Sequence, residues 1–189
     1  MSDIRDAVKE LVIDRGLQKR EAPFQLSSGE WSSDYIDGKR ALSRGADLGL
    51  VARAVVECAQ REGVEFEVVG GMTMGADALA HAVAITSGTA WFTVRKERKQ
   101  HGKQDLIEGG EIKGRSILLL DDVVTTGASI LQSLDAIQEA GGQVVLAVCL
   151  VDRSGRAAER LAERDIRFFP LLTYRDLGIA PVGSGRVLT

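Results

Sequence analysis

Apolar residues recur in two rhythms along this chain. In the first, Ile4, Val8, Leu11 and Val12 stand at helical spacing, and Gly16 is a plausible stop. Leu48, Val51, Ala52, Val55 and Val56 repeat that spacing and predict a second helix over Asp47–Arg61, ended near Gly63. Helices are also predicted over Ala76–Thr86, Ala128–Ala140, closed by Gly141 and Gly142, and Arg156–Arg164. In the second rhythm, short continuous apolar runs stand between the helices. Glu65–Gly70, Ala90–Val94, Ser116–Leu120, Gln143–Val151 and Arg167–Leu172 read as strands, the first ending in a tight Gly70-Gly71 turn. Strands that are apolar on both faces and alternate with helices predict an α/β fold with a covered parallel sheet. Two stretches break the pattern. Pro23–Arg40 is polar and glycine-punctuated and reads as turns or a small sheet, and Arg95–Gly110 is polar with no apolar period. In an open parallel sheet ligands bind beyond the carboxyl ends of the strands, so chemistry is expected after Gly70, Val94, Leu120 and Val151.

Composition narrows the partners. The 189 residues are 44% hydrophobic and 27% charged, with a net charge of −3. No global basic field points to nucleic acid, so an anion site has to be local. Cys58 and Cys149 lie in apolar stretches without metal-type spacing and are expected as buried thiols. The amphipathic N-terminal helix is not a signal peptide, and no apolar run approaches the length of a membrane helix, so a cytoplasmic protein is expected. The sequence has no asparagine, which excludes N-glycosylation. Trp31 and Trp91 read as packing residues and His81 as structural.

The most specific stretch is Ile117–Ser129. A strand of almost pure Ile and Leu is followed by the acidic pair Asp121 and Asp122, by Val123 and Val124, and by Thr125, Thr126, Gly127, Ala128 and Ser129 opening a helix. Carboxylates there can accept hydrogen bonds from sugar hydroxyls. Backbone N–H groups at a helix start, with hydroxyls beside them, suit a phosphate, and Gly127 permits close approach. Neither GxxxxGK[ST] nor GxGxxG occurs in this context. The segment resembles the 5-phosphoribosyl-1-diphosphate (PRPP) signature of type I phosphoribosyltransferases. The resemblance implies that Asp121 and Asp122 engage the ribose hydroxyls and that residues 125–129 hold the 5′-phosphate, with Val123 and Val124 between them in the same site.

Val94–Lys103 packs five Lys or Arg residues and one of two histidines into ten positions. Placed after a strand, within a long glycine-punctuated segment, it reads as a cationic lid that stabilises a leaving pyrophosphate and excludes water. Its Arg-Lys-Glu-x-Lys-x-His-Gly order resembles the catalytic loop of orotate phosphoribosyltransferases. That resemblance implies roles for Arg95, Lys96, Lys99 and His101, with Lys99 and His101 nearest the leaving group. It also implies a homodimer in which each lid covers the partner's site. One Mg2+ is expected to bridge pyrophosphate and ribose oxygens near Asp121, with no ligand supplied directly by the protein.

Orotate carries a carboxylate and needs a matched cation. Arg153, after the Gln143–Val151 strand, corresponds to the family arginine that meets orotate, and the resemblance implies that Thr125 borders the base. Phe24–Gly29 with Ser33–Asp37 resembles the family's hood segment, which implies that Tyr35 packs on the pyrimidine. Two departures stand out. Ser27 and the pair Thr73-Met74 occupy positions where many members carry lysine and Tyr-Lys. The expected organisation is a single type I phosphoribosyltransferase domain: an N-terminal helix and hood over residues 1–40 and a PRPP-binding core over 41–189. The expected reaction makes orotidine 5′-monophosphate for pyrimidine synthesis. The alternatives are a purine phosphoribosyltransferase and a PRPP-sensing regulator; the latter calls for a basic nucleic-acid surface that this chain lacks.

Overall fold

A computed structural model describes residues 2–26, 29–97 and 106–183. The order is α1 (Ser2–Leu11), a wider helical turn over Val12–Gly16, β1 (Leu17–Gln25), β2 (Trp31–Ile36), α2 (Gly38–Ala41), α3 (Gly45–Arg61) and β3 (Val68–Met72). There follow α4 (Asp77–Ser87), β4 (Ala90–Val94), β5 (Ile107–Gly109), β6 (Ser116–Val124), α5 (Ala128–Glu139), β7 (Gln143–Asp152), α6 (Arg156–Ala162) and β8 (Phe168–Thr173). Six strands form one sheet in the order β5-β4-β3-β6-β7-β8. All neighbours are parallel except β5, which runs antiparallel to β4. The fold is therefore the expected α/β architecture.

The apolar alternation of β6 explains why both faces are covered. Leu118 and Leu120 join α1, α3 and α4 in one core, with Val8, Val51, Val55, Leu79 and Val83. Ile117 and Leu119 point the other way, into a second core with α5 residues Ile130, Leu134 and Ile137. The period of two sends successive side chains to opposite faces, so a strand buried on both sides must be apolar throughout. Pro170 fits in β8 because β8 is an edge strand, where the missing N–H is tolerated.

Three features differ from the sequence expectation. Gly70 and Gly71 do not form a turn; they lie inside β3. A Cβ at Gly70 would stand 2.2 Å from the Phe92 carbonyl oxygen, and one at Gly71 would stand 2.0 Å from that of Leu120. The close approach of neighbouring strands requires glycine there. The polar stretch after Val94 hides β5, a strand of three residues. Trp31 and Trp91 are not packing residues, being 59% and 42% exposed. Trp91 instead meets the edge of His81 at 4.3 Å between ring centroids.

The N-terminal hairpin is the small sheet expected between Pro23 and Arg40, but it begins earlier. β1 pairs with β2 from Leu17–Ile36 to Gln25–Trp31, with an irregularity between Lys19 and Phe24. Cys58 and Cys149 are buried and free. No helix among the described residues is long and apolar enough to cross a membrane.

Candidate active site

The carboxyl ends of β3, β4 and β6 border an open cavity of about 790 Å³. β6 carries the acidic pair further than expected, because the strand runs on through Val124. Asp121 is 7% exposed. Its Oδ1 accepts from the Asp122 N–H at 2.9 Å, and Asp122 Oδ1 accepts from the Val123 N–H at 2.8 Å. Both residues line the cavity. Burial, and then the negative charge of Asp122, push the Asp121 carboxyl up to about 8, while Lys96 pulls it the other way.

Two glycines close around this pair. A Cβ on Gly75 would lie 2.7 Å from Asp122 Oδ1 and 3.1 Å from Asp121 Oδ1. A Cβ on Gly38 would lie 2.8 Å from Asp122 Oδ2 and 3.0 Å from its Cβ. Gly75 belongs to the turn after β3, which contains a cis peptide between Thr73 and Met74. Asp77 holds this turn against β4, because its two oxygens accept from Thr73 Oγ1 at 2.8 Å and Thr93 Oγ1 at 2.7 Å. The Thr73 hydroxyl is thereby engaged within the protein, and Met74, 71% exposed, lines the cavity.

After β6 the chain turns through residues 125–127 into α5. Gly127 has a φ of 76°, the left-handed region that favours glycine, and a Cβ there would press on Ala157 at 3.1 Å. The turn is tied down from α6 and the loop before it. Ser154 Oγ donates to the Thr125 carbonyl, and Arg160 Nη1 donates to the Thr126 carbonyl at 2.6 Å. Thr126 Oγ1 accepts from the Ala128 N–H at 3.4 Å. The side chain of Val124 is buried with Cys149 and Ala157, so only its backbone is available to a ligand.

The cavity brings together Arg95, Lys96, Asp121, Asp122, Val123 and Ser129 from the expected set. It also brings Lys39, Thr93, Glu97 and Glu108, which the sequence reading did not single out. Arg95 Nη1 pairs with Glu108 Oε1 at 2.9 Å, which ties the start of the polar segment to β5. Lys99 and His101 lie outside the described residues, as does Ser27.

Arg153 and Tyr35 are not among the residues lining this cavity. Arg153 is 2% exposed and sits beneath the hood, where its Nη2 donates to Ser32 Oγ at 3.0 Å and to the Asp34 carbonyl at 2.7 Å. Its Nε is buried without a partner among the described residues. Burial lowers the Arg153 guanidinium from its ordinary value, and Asp34 raises it in part. Tyr35 is half-buried and meets the edge of Phe24 at 5.7 Å, with the Arg20 guanidinium 5.6 Å from its ring. Arg20 went unnoticed in the sequence because nothing local marks it as a partner of two rings. A second clasp, an ion pair between Arg156 and Glu30, joins the hood turn to the start of α6.

A doubly covered parallel sheet, an acidic pair at the end of its central strand and a hydroxyl-rich turn opening a helix define a phosphoribosyl-transfer fold and site. The phosphoribosyl transferase domain family matches residues 50–168. The orotate phosphoribosyltransferase of Pyrococcus furiosus is 36% identical over 154 residues, 82% of this chain and 85% of that protein. That of Mycobacterium leprae is 36% identical over 179 residues, 94% of this chain and 96% of its own. A crystal structure of the Mycobacterium tuberculosis orotate phosphoribosyltransferase in complex with PRPP superposes with a TM-score of 0.78 at 34% identity, covering 93% of this chain and 99% of that one. The chain belongs to the orotate phosphoribosyltransferases.

Proposed function

We propose that this protein transfers the 5-phosphoribosyl group from PRPP to orotate. A ring nitrogen of orotate bonds to the anomeric carbon as the bond to pyrophosphate breaks, giving orotidine 5′-monophosphate and free pyrophosphate. The observation that carries the reading is the acidic pair Asp121-Asp122, held at the floor of the cavity with the Thr125–Ser129 turn directly after it. The carboxyls accept from the ribose hydroxyls, and the turn, with Gly127, Ala128 and the Ser129 hydroxyl, receives the 5′-phosphate. Thr125 stands between sugar and base. Arg153, whose Nε–H has no partner among the described residues, is the donor proposed for the orotate carboxylate, and Tyr35 lies on the hood strand that covers it.

Arg95 and Lys96 border the cavity where the leaving group gathers charge, and Lys99 and His101 continue the same cationic run. The proposal includes a homodimer in which Lys99 and His101 reach the partner's site, and work in the cytoplasm. It also includes Mg2+. Two adjacent carboxyls whose mutual repulsion a nearby cation relieves suit an ion carried by the substrate. Asp121 and Asp122 would lie near the ion, and substrate oxygens rather than protein groups would hold it. When bound, the ion neutralises charge on the pyrophosphate.

The test is incubation with PRPP and Mg2+ and one base at a time, with nucleotide product resolved by chromatography. Product with orotate alone is expected. Product only with hypoxanthine or adenine, or none with any base, overturns the proposal. For the shared lid, mixing Lys99→Ala with Asp122→Ala protein should restore part of the lost activity, and no restoration in mixed dimers refutes the sharing.

A further inference from the structure

Lys39 lines the cavity from α2, the short helix joining the hood to the core, and no residue assignment above uses it. Its position is set by what surrounds it. The Asp37 carboxylate accepts from the Arg40 N–H at 2.9 Å and caps the helix. Gly38 is seated on Asp122 so closely that a Cβ would stand 2.8 Å from Oδ2. The backbone beside Lys39 is thus fixed against the acidic pair, and its ammonium has a short reach to whatever lies above Asp122.

The charge balance of the cavity calls for such a group. Its described ionic residues are four carboxylates (Glu97, Glu108, Asp121 and Asp122) and three cations (Lys39, Arg95 and Lys96). Arg95 is engaged by Glu108 at 2.9 Å. Lys39 makes no ion pair or hydrogen bond among the described residues, and its side chain is exposed. A ligand bearing phosphate at one end and diphosphate at the other meets two acids on entry, and Lys39 is an unengaged cation on the same wall as Asp122. Gly38 and Gly75 flank the two oxygens of Asp122, so Lys39 and the Met74–Gly75 turn both border that residue in the same cavity. The Thr125–Ser129 turn follows Asp122 in the chain and leads into α5.

We infer that Lys39 is a diphosphate-binding residue of this site, supplying the cation that faces the pyrophosphoryl end of the sugar substrate from the hood side. The inference rests on the PRPP reading above. A flexible ammonium suits the task, because it follows the diphosphate as a point charge from bound substrate to departing product.

The test is calorimetric titration of the full-length protein with PRPP and, separately, with inorganic pyrophosphate, each with Mg2+, using wild type, Lys39→Ala and Lys39→Arg. Lys39→Ala should weaken both ligands by about tenfold, the scale of one lost charge contact. It should raise KM for PRPP and leave KM for orotate near wild type. Lys39→Arg should recover most of the affinity. Because Lys39 is exposed, both variants should melt with the wild type. If wild type binds both ligands and Lys39→Ala binds them equally well, the assignment of Lys39 falls while PRPP binding stands. If wild type binds neither, the PRPP reading itself falls and takes this inference with it.

Discussion

Replacing Arg153 by Met keeps most of the stem and removes the guanidinium, and this separates two roles of one residue. In the free protein the guanidinium clasps the hood through Ser32 Oγ at 3.0 Å and the Asp34 carbonyl at 2.7 Å. Hydrogen bonds from a charged donor contribute roughly 1.5–3 kcal/mol each, and the Asp34 carbonyl would be left without this donor. Against this, a buried cation is removed, which returns part of its desolvation cost. The net loss of stability should be about 1–3 kcal/mol, a fall in Tm of roughly 2–10 °C for a chain of this size. The effect on orotate is of another order. Truncating one partner of a buried charge pair costs about 2–5 kcal/mol, so KM for orotate should rise roughly 30-fold or more, while KM for PRPP moves a few-fold at most. Steady-state kinetics with each substrate varied in turn, beside a thermal melt, reads all three quantities. A lowered Tm with orotate KM within threefold of wild type would reduce Arg153 to a structural clasp and leave the base site unassigned.

Other outcomes follow from the same geometry. The Asp121 carboxyl is raised to about 8 from an ordinary value near 3.8, so between those limits the ligand-free native protein holds a proton the unfolded chain has lost. Stability should therefore fall as pH rises through that window, and Asp121→Asn should flatten the slope; equal slopes in denaturant titrations across pH refute it. Gly75→Ala places a methyl 2.7 Å from Asp122 Oδ1, and overpacking of this kind costs about 1–3 kcal/mol, so PRPP affinity should drop by about tenfold; wild-type affinity by calorimetry would show that the acid pair yields freely. Burial raises the Cys58 thiol to about 11 and the Cys149 thiol well above its usual value. Neither should react with iodoacetamide at pH 8 until denaturant is added, and mass spectrometry of native protein carrying a label would contradict the packing.

The sheet was legible because burial on two faces forces an unbroken apolar strand, and Ile117–Leu120 could hardly be anything else. The Ile117–Ser129 segment is legible for a related reason: its parts are contiguous, so one window of sequence contains strand, acids and turn. What escaped depends on residues distant in the chain. Gly70 and Gly71 look like a turn in sequence, and only the carbonyls of Phe92 and Leu120 explain them as strand. Three residues of β5 within a polar segment have no period to read. Arg153 was correctly located at a strand end, yet its burial is decided by a hood over a hundred positions earlier, through Ser32 and Asp34. Lys39 carried no motif, and its place in the site follows from Gly38 resting on Asp122.

That hood strand works as a ruler. Asp34 is fixed to Arg153 at one end and Gly38 to Asp122 at the other, and four residue steps span at most roughly 14 Å. The separation between the group that would hold the base and the group that would hold the sugar is thus written into the covalent length of one short segment. Adding or deleting a single residue between positions 34 and 38 would move that separation away from the fixed distance between base and sugar in a nucleotide, and activity should fall with it.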